Sequence, residues 1–350
     1  MRDQMRAWGT RLLQLGGVLL VSGILPTRSA LPARTRAYSS ALGSGPTAIV
    51  RGGDGALWFI ARSGDLGRIT PRGAIRVVPL SRDGSVVADE SLTRGPDGAL
   101  WFTGAEATDN GTTVYPIIGR VTVRGAVRLF PLTDQTTPFF QPESLAFGPD
   151  GSLWFGERYG RRIGRLTPSG RLSAVSLPTP DGEPRGLVAG PGDALWYSDP
   201  GSNSIGRLSA AGRIRTFPLP RPDRGPIGIA AGPDGALWFT ERSDAGAHAF
   251  IGRLTPTGRL REFPVPTPDS NPYSITRGPD GALWFTEQAA DRIGRITPRG
   301  RIRKFATPST GSGCLDITSG PDGALWFTEF NANKIGRLTP TGHVTEFPLP

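Results

Sequence analysis

The sequence predicts an all-β protein: a seven-bladed β-propeller with four antiparallel strands in each blade. The first observation is a ten-residue segment from Gly320 to Glu329, Gly-Pro-Asp-Gly-Ala-Leu-Trp-Phe-Thr-Glu, which has seven related copies along the chain. The second is the period, because successive tryptophans are 43, 53, 42, 42, 46 and 42 residues apart; they are Trp58, Trp101, Trp154, Trp196, Trp238, Trp284 and Trp326. The third is that short apolar runs lie between Gly and Pro turns, which at this period is typical of propeller blades.

Length and composition agree with one closed repeat domain. The chain has 350 residues, of which 49 are glycine and 34 are proline. Scattered through the chain, so much glycine and proline would indicate disorder, but here both recur periodically and therefore predict turns. Since a radial repeat can reach this length without several cores, we expect a single propeller over residues 45–350, preceded by a short lead-in at 38–44.

The amino terminus resembles a secretory signal. Arg2, Arg6 and Arg11 precede an apolar run from Leu12 to Leu25, which is too short for a comfortable membrane span. We expect residues 1–37 to be a signal peptide, cleaved after Ala30 or Ala37, and the propeller to be extracellular or periplasmic with no stable membrane span. An uncleaved membrane anchor is the alternative.

The charge is modest outside this segment. The formal net charge is +10, and residues 1–37 contribute +5 of it through six arginines and Asp3. Most other arginines recur at fixed repeat positions without a clustered stripe, so we expect no nucleic-acid partner. Cys314 is the single cysteine, which excludes an intrachain disulfide and a cysteine metal cluster. We expect a monomer.

Each blade can be divided into the same four elements in order. Gly-Pro-Asp-Gly supplies the tight turn after strand one, and Thr-Pro-x-Gly supplies the turn after strand three. In strand two of the sixth repeat, Leu283 and Phe285 alternate with Trp284 and Thr286, so both faces are suited to burial between stacked blades. Seven complete blades fit after Gly45; ring closure by a strand from residues 38–44 is the alternative.

Side chains that recur in every repeat are predicted to be structural. The seven tryptophans are packing residues. The arginine of Ile-Gly-Arg occurs once per repeat, and we expect its guanidinium to bind neighbouring carbonyls or carboxylates. These arginines are Arg68, Arg120, Arg165, Arg207, Arg253, Arg295 and Arg337.

A functional site is expected where the repeats differ. Strand one lines the channel of a propeller. The position that follows the strand-one proline, present in five blades, varies between blades: Thr47, Glu90, Glu143, Arg185, Ile227, Tyr273 and Leu315. Two carboxylates and a guanidinium on successive blades would share one mouth, where carboxylates can hold a hard cation or act as an acid and base pair. Glu90, Glu143 and Arg185 are the catalytic candidates, and the two glutamates are also metal candidates. Thr47, Ile227, Tyr273 and Leu315 are candidates for binding a small-molecule or peptide ligand.

A second set of positions lies three residues after each tryptophan. These residues are acidic in five repeats: Glu157, Asp199, Glu241, Glu287 and Glu329, with Ala61 and Gly104 in the first two. They are expected to fix the following loop, as Glu329 with Asn331 and Asn333, or alternatively to form a ring of metal ligands.

Loop lengths favour the same side of the ring. The insertion from Gly104 to Pro116 and the longer connections into Glu90 and Glu143 surround the two glutamates. Long loops on a rigid scaffold commonly carry recognition; neutral drift of the surface is the alternative.

The repeat unit at residues 320–340, in which Asn-Lys-Ile-Gly-Arg-Leu-Thr-Pro follows the tryptophan segment, resembles the virginiamycin B lyases. The resemblance covers about residues 45–350. It implies a seven-bladed propeller that opens cyclic depsipeptide antibiotics of the streptogramin B class at the ester by elimination. It also implies a histidine base in a Glu-Pro-His-Gly-Ile segment, a second histidine on the preceding blade, an acid four residues past the next tryptophan, and a magnesium ion held by glutamates.

This chain departs from that pattern. Glu183-Pro184-Arg185-Gly186-Leu187 matches the segment with Arg185 in place of the histidine, and Pro200 stands where the acid is expected. The last blade has Gly313 to Ile317 and Phe330 at the corresponding places. The two histidines, His248 and His343, lie outside the motif. Two hypotheses follow: an exported lyase-like enzyme, or a non-catalytic propeller that binds a peptide, glycan or protein at the mouth.

Overall fold

A computed structural model describes residues 45–61, 63–108, 113–132, 142–222, 225–242 and 248–350. Within these ranges the chain forms seven four-stranded antiparallel sheets and no helix, which confirms the predicted fold. No described helix could therefore cross a bilayer. The predicted signal peptide, its cleavage sites, the 38–44 lead-in and residues 109–112 of the long insertion lie outside the described residues.

Each blade consists of four strands that are consecutive in sequence and adjacent in the sheet. Blade 1 contains β1 Ile49–Arg51, β2 Leu57–Ile60, β3 Leu66–Ile69 and β4 Ile75–Val78. Blade 2 contains β5 Val86–Arg94, β6 Leu100–Thr108, β7 Thr113–Val121 and β8 Val127–Pro131. Blade 3 contains β9 Pro142–Phe147, β10 Leu153–Glu157, β11 Arg162–Leu166 and β12 Leu172–Ser176.

The remaining four blades repeat this plan. Blade 4 contains β13 Leu187–Gly190, β14 Ala194–Asp199, β15 Ser204–Ser209 and β16 Ile214–Pro218. Blade 5 contains β17 Pro226–Ala231, β18 Leu237–Glu241, β19 Phe250–Leu254 and β20 Leu260–Pro264. Blade 6 contains β21 Pro272–Arg277, β22 Leu283–Glu287, β23 Arg292–Ile296 and β24 Ile302–Ala306. Blade 7 contains β25 Cys314–Ser319, β26 Leu325–Glu329, β27 Lys334–Leu338 and β28 Val344–Pro348.

The second strand of each blade is the most buried, as its two apolar faces predict. All five residues of β22 are buried, and Trp284 stacks on Phe305 of the outer strand with ring centroids 5.2 Å apart. The turn before this strand needs a positive φ, and Gly281 supplies it at 73°. Burial of an indole contributes a few kcal/mol in each blade, so the tryptophans are packing residues as predicted.

The Ile-Gly-Arg arginine has a definite partner. In blade 6 the Arg295 Nε donates to Asp280 Oδ2 at 2.6 Å, and Asp280 Oδ1 accepts from Trp284 Nε1 at 3.0 Å. In six blades the arginine bonds the aspartate of the turn after strand one of its own blade: Arg68, Arg120, Arg165, Arg253, Arg295 and Arg337. This turn reads Gly-Gly-Asp-Gly in blade 1 and Gly-Pro-Asp-Gly in the other five. In blade 4 the turn reads Pro-Gly-Asp, and Arg207 instead donates to the Gly192 carbonyl at 3.1 Å. The predicted structural role is confirmed.

In four blades the residue two after the tryptophan joins neighbouring blades at the channel. Thr286 Oγ1 accepts the Ser274 N–H of its own blade at 3.0 Å and donates to the Leu315 carbonyl of the next blade at 2.9 Å. Ser198, Thr240 and Thr328 form the same pair of bonds.

Closure of the ring uses the same contact. The Thr328 hydroxyl donates to the Thr47 carbonyl at 3.3 Å, and the Ile49 N–H donates to Asp316 Oδ2 at 2.8 Å. Blade 7 is completed by its own strand β28. Within the described residues the ring therefore closes between complete first and last blades, without an exchanged strand.

Candidate functional site

Four of the predicted site residues come together at one mouth of the channel. Strand one begins at this mouth and strand two ends there, because the strands are antiparallel. The charges of Glu90, Glu143 and Arg185 all act on the hydroxyl of Tyr273, so these side chains share one electrostatic environment. The structure thus brings the two glutamates, the arginine and the tyrosine together at this mouth. Their catalytic and ligand-binding roles stay predictions.

Glu143 is the centre of an ion-pair network. Its side chain is buried, and Oε1 accepts Nη1 of Arg158 at 2.8 Å. The Arg185 Nε lies 3.1 Å from Oε2 of the same carboxylate, yet neither atom has a hydrogen bond within the described residues. The Arg185 contact is therefore an ion pair whose N–H is not aligned on the carboxylate. Glu183 completes the network, 2.9 Å from Arg158 Nε and 3.6 Å from Arg185 Nε.

Burial and like charge disfavour ionisation of Glu143. Burial is the largest influence and raises the pKa of this carboxyl; Arg185 and Arg158 oppose it, while Glu90 and Glu183 add to it. The two guanidiniums thus do not fully offset the loss of solvation. The carboxyl is held more readily in its neutral form than a carboxyl in water.

The opposite part of the mouth is formed by Tyr273 and Arg242. The Arg242 guanidinium lies over the tyrosine ring, 5.5 Å from its centroid, and donates to Asn271 Oδ1 at 2.6 Å. Burial lowers the pKa of Arg242, Tyr273 opposes this, and the charge of Arg185 adds to it. Burial also raises the pKa of Tyr273. This side of the mouth therefore presents a neutral phenol beside a cation.

Glu90 is held through its backbone. Its N–H donates to Oδ1 of Asp89 at 2.6 Å, and the same carboxylate oxygen accepts Thr103 Oγ1 at 2.7 Å. Burial raises the pKa of Asp89 to about 6. Within the described residues the Glu90 carboxylate has no ion pair, in contrast to Glu143.

The other three candidates of the first set are anchored into the ring. The carbonyls of Ile227, Leu315 and Thr47 accept the hydroxyls that join neighbouring blades, and the Thr47 Oγ1 donates to the Asp89 carbonyl at 2.8 Å. These contacts fix their backbones at the channel. They leave the proposed ligand role of their side chains a prediction.

The acidic residues three after the tryptophans are wholly buried. Asp199 accepts the Glu183 N–H at 2.8 Å and the Ser202 N–H at 3.1 Å, which fixes a loop as predicted. Glu329 differs from the expectation, because its carboxyl lies beside Glu346 and Lys334. Asn331 and Asn333 instead have other partners, since Asn331 N–H donates to the Ser312 carbonyl and Asn333 Nδ2 to the Leu349 carbonyl.

The magnesium ion that the resemblance implies does not fit the described side chains. A hard divalent cation needs several oxygen donors without competing cations. Both oxygens of Glu143 instead face guanidiniums, at 2.8 and 3.1 Å. Across the described ranges no group of three or more His, Cys, Asp or Glu side chains is arranged to hold a metal. We therefore derive no chemistry through a metal at this mouth.

The chemistry available at the mouth is recognition of hydrogen-bond acceptors. The position that the resemblance assigns to the base carries Arg185, and an arginine stays protonated and can only donate. Arg158, Arg185 and Arg242 together offer guanidinium donors, and Tyr273 offers an aromatic face. Ester and amide carbonyls are matching acceptors.

Sequence reasoning missed Arg158 and Arg242 as mouth residues. Both lie four positions after a tryptophan, directly after the acid of the second set. The signal was present, because this position also varies between blades: it is Ala105, Arg158, Pro200, Arg242, Gln288 and Phe330 in blades 2 to 7. The variability that identified the first set thus identifies this one as well.

Comparison with known proteins agrees with the fold and the repeat. A family model described as the virginiamycin B lyase family matches residues 31–138 and 244–350. No curated protein sequence matches the chain significantly.

Three solved structures are similar to the chain over most of its length. A virginiamycin B lyase from Staphylococcus aureus is 37% identical with a TM-score of 0.68, covering 75% of this chain and 84% of its own. A catalytically inactive histidine-to-alanine variant of virginiamycin B lyase from that organism, with quinupristin, is 35% identical with a TM-score of 0.69, covering 77% and 86%. A streptogramin B lyase is 32% identical with a TM-score of 0.73, covering 87% and 94%. The chain therefore belongs to the virginiamycin B lyase family.

Proposed function

We propose that this protein is an exported member of its family that binds a small cyclic depsipeptide or peptide at the mouth formed by Glu90, Glu143, Arg185 and Tyr273, without opening it through a histidine base. The observation that carries the proposal is the guanidinium of Arg185 in the place of that base, 3.1 Å from Glu143. Its permanent positive charge prevents it from removing a proton.

The ligand class follows from the donors at the mouth. The Arg185 Nε is buried beside Glu143 Oε2, but 20% of the side chain is exposed, so a ligand carbonyl would bind the exposed part of this guanidinium. Tyr273 with Arg242 above it offers a flat amphipathic surface for an aromatic or proline-like ring. A cyclic depsipeptide carries both kinds of group.

One relative indicates that a protein of this family can bind a ligand without converting it. The catalytically inactive histidine-to-alanine variant of the Staphylococcus aureus lyase was solved with quinupristin. Loss of a histidine that abolishes catalysis is therefore compatible with a complex with quinupristin in this relative.

An enzymatic alternative rests on Glu90. This carboxylate has no ion pair within the described residues and lies on the blade next to Glu143, whose neutral form is favoured by burial. A free carboxylate beside a carboxylic acid is a base and acid pair. Such a pair would support elimination or hydrolysis of the ester without a metal.

One experiment distinguishes binding of the ligand from its elimination or hydrolysis. We expect quinupristin to bind the purified protein saturably in isothermal titration calorimetry, with affinity reduced roughly tenfold by Arg185→Ala, which removes one charged donor. Arg277→Ala, an exposed arginine on the opposite face, is the matched control. After incubation with and without Mg²⁺, chromatography with fragment-ion mass spectrometry is expected to show only intact ligand.

The products distinguish the alternatives. Elimination would give a ring-opened isomer of unchanged mass, whereas hydrolysis would add one water. Either product at a rate above the protein-free control, abolished by Glu90→Gln, would favour the enzyme. Absence of both binding and turnover would refute the depsipeptide ligand.

Export is supported by the arginines and apolar run of residues 1–25. Mass spectrometry of the protein recovered from its native host is expected to find a mature chain that begins at Leu31 or Tyr38. An intact amino terminus in the membrane fraction would instead identify the segment as an anchor.

A further inference from the structure

The face of the propeller opposite the mouth is lined with arginines. This face carries the turns between strands one and two and between strands three and four of every blade, since alternate turns of an antiparallel sheet lie at the same end. In and next to these turns, fifteen arginines are exposed: Arg51, Arg72, Arg76, Arg94, Arg124, Arg128, Arg171, Arg213, Arg215, Arg259, Arg261, Arg277, Arg299, Arg301 and Arg303. We call this surface the arginine face.

Six of the seven carboxylates in the turns of the arginine face are already paired. Its turns contain seven, one aspartate per blade: Asp54, Asp97, Asp150, Asp193, Asp234, Asp280 and Asp322. Six of them bond the half-buried Ile-Gly-Arg arginine of their own blade. None of the fifteen exposed arginines has a salt bridge within the described residues. The surface therefore carries a large uncompensated positive charge.

Repetition places these arginines in a ring. The turn glycine of one blade contacts the outer-strand phenylalanine of the preceding blade, as Gly300 does with Phe263 and Gly258 with Phe217. Gly73 contacts Phe347 in the same way across the junction of the last and first blades. The hairpins of strands three and four therefore lie side by side around the propeller, and six of the seven blades present exposed arginine at this end.

Several of these side chains are held in position. The guanidiniums of Arg128 and Arg215 lie 4.6 Å from the ring centroids of Phe130 and Phe217, and that of Arg303 lies 4.9 Å from Phe305. Stacked guanidiniums keep their outer N–H groups free for an anion and lose less freedom on binding. The arginines of the hairpin tips extend further out.

We propose that the arginine face binds the surface of a bilayer that contains anionic phospholipid. All fifteen cations are arginines, whose planar guanidinium matches phosphate oxygens in a bidentate manner. Their ring over six blades matches a flat surface, which can touch all blades at once, whereas a linear polyanion follows only an arc. The mouth would then face away from the bilayer and stay open to its ligand. This inference does not depend on the identity of that ligand.

The test compares vesicles with matched charge variants of the full chain. Co-sedimentation is measured with phosphatidylcholine vesicles and with vesicles that also contain phosphatidylglycerol. Binding to the vesicles without phosphatidylglycerol measures how much of the signal comes from insertion of an apolar segment into the bilayer. The triple variant Arg124→Gln/Arg213→Gln/Arg259→Gln removes three charges from the arginine face. The control Arg82→Gln/Arg161→Gln/Arg221→Gln removes three exposed charges from the mouth side.

We expect binding only to the anionic vesicles, weakened with rising salt, and weakened roughly 100-fold in the arginine-face variant but little in the control. An equal loss in both triple variants would show a response to net charge and overturn the proposal. Absence of binding by wild type, or tighter binding to soluble polyphosphate than to vesicles, would overturn it as well.

Discussion

The aspartate of each Gly-Pro-Asp-Gly turn joins three parts of a blade. Asp280 accepts hydrogen bonds from Trp284, Arg295 and the Ala282 N–H, at 3.0, 2.6 and 3.2 Å. Burial alone would raise the pKa of Asp280, but the bonds from Trp284 and Arg295 outweigh it and hold the pKa below its usual value. The carboxylate therefore stabilises the fold in its ionised form.

Blade 4 is an internal control for the turn aspartate, because its tryptophan and its arginine bond backbone carbonyls and not the aspartate. There Trp196 Nε1 donates to the Pro191 carbonyl at 3.2 Å and Arg207 donates to the Gly192 carbonyl. Asp193 takes no part in either contact. We expect Asp280→Asn to lower the free energy of unfolding by about 1–2 kcal/mol, since it leaves a charged donor without its acceptor, and Asp193→Asn to leave it nearly unchanged.

Thermal unfolding midpoints followed by circular dichroism at neutral pH would check this pair. A loss of stability of equal size in both variants would show that the turn itself, and not the bonds to Trp284 and Arg295, is the source of the effect.

At the scale of single residues, the sequence predicted the chemical kind of partner that a side chain binds better than it predicted which two residues are in contact. The seven Ile-Gly-Arg arginines were expected to bind carbonyls or carboxylates, and the structure shows both kinds of partner. Arg242 could not be predicted to lie over Tyr273, because their proximity depends on the rotation between blades 5 and 6. Likewise the ion pair of Glu143 with Arg158 joins strand one to the residue after strand two. The spacing of these two residues in the sequence did not by itself predict that their side chains meet.

Among the elements, the junctions between blades are stabilised by single buried hydroxyls. Thr286 is fully buried and bridges the Ser274 N–H of blade 6 and the Leu315 carbonyl of blade 7. The corresponding position is Ile60 in blade 1 and Gly156 in blade 3, and Thr103 in blade 2 donates to Asp89 of its own blade instead. The hydroxyl that joins neighbouring blades is therefore missing or differently bonded at the three boundaries that precede blades 2, 3 and 4. These blades carry Glu90, Glu143 and Arg185, the three candidates for catalysis.

Substitution of Thr286 by valine tests this junction. Valine keeps the shape but leaves a buried N–H and a carbonyl without this partner, so we expect the free energy of unfolding to fall by about 2–3 kcal/mol. Thr276→Val is the matched control, since that hydroxyl has no hydrogen bond within the described residues. A midpoint of thermal unfolding that is equal for the two variants would argue against the hydroxyl junction.

Strand order and strand number could be predicted at the scale of elements because each blade carries its own turn signals. Gly-Pro-Asp-Gly marks the first turn in five repeats and Thr-Pro-x-Gly marks the third turn in five. Strand two is recognised by alternation around tryptophan. Ring closure was left open because two alternatives use the same repeats. Within the described residues, blade 7 is completed by its own strand β28, and Thr328 contacts Thr47, 281 residues away.

Across the whole molecule, carboxyl groups fall into two classes that respond oppositely to pH. Six turn aspartates have lowered pKa values, so their contribution to stability is lost as pH falls through those values: Asp54, Asp97, Asp150, Asp234, Asp280 and Asp322. Buried carboxyls near the channel and in the blades have raised pKa values: Asp89, Glu143, Glu287, Asp316 and Glu329. Stability from these groups is greatest when they are protonated. The protein is therefore expected to be most stable in mildly acidic solution.

Glu329 dominates the second class. It is fully buried, and burial together with the neighbouring Glu346 raises its pKa from 4.5 to about 8. Within the described residues neither of its oxygens receives a hydrogen bond, as expected of a neutral carboxyl beside the carboxylate of Glu346, which accepts Lys334 Nζ at 2.7 Å. Because the folded-state pKa is raised, the stability that this group contributes is complete below 4.5 and is lost as pH rises towards 8.

The thermal unfolding midpoint of wild type is therefore expected to fall between pH 5 and pH 8, and Glu329→Gln to reduce that fall. At pH 8 the variant should be more stable than wild type by roughly 2–3 kcal/mol, because glutamine keeps the neutral form that the site favours. Glu346→Gln should act in the opposite direction, since the bonds from Lys334 and Ser309 hold the pKa of Glu346 below its usual value against burial. If Glu329→Gln instead lost stability at pH 8, Glu329 would have to be ionised in the native ring, and the buried carboxyls would not set its response to pH.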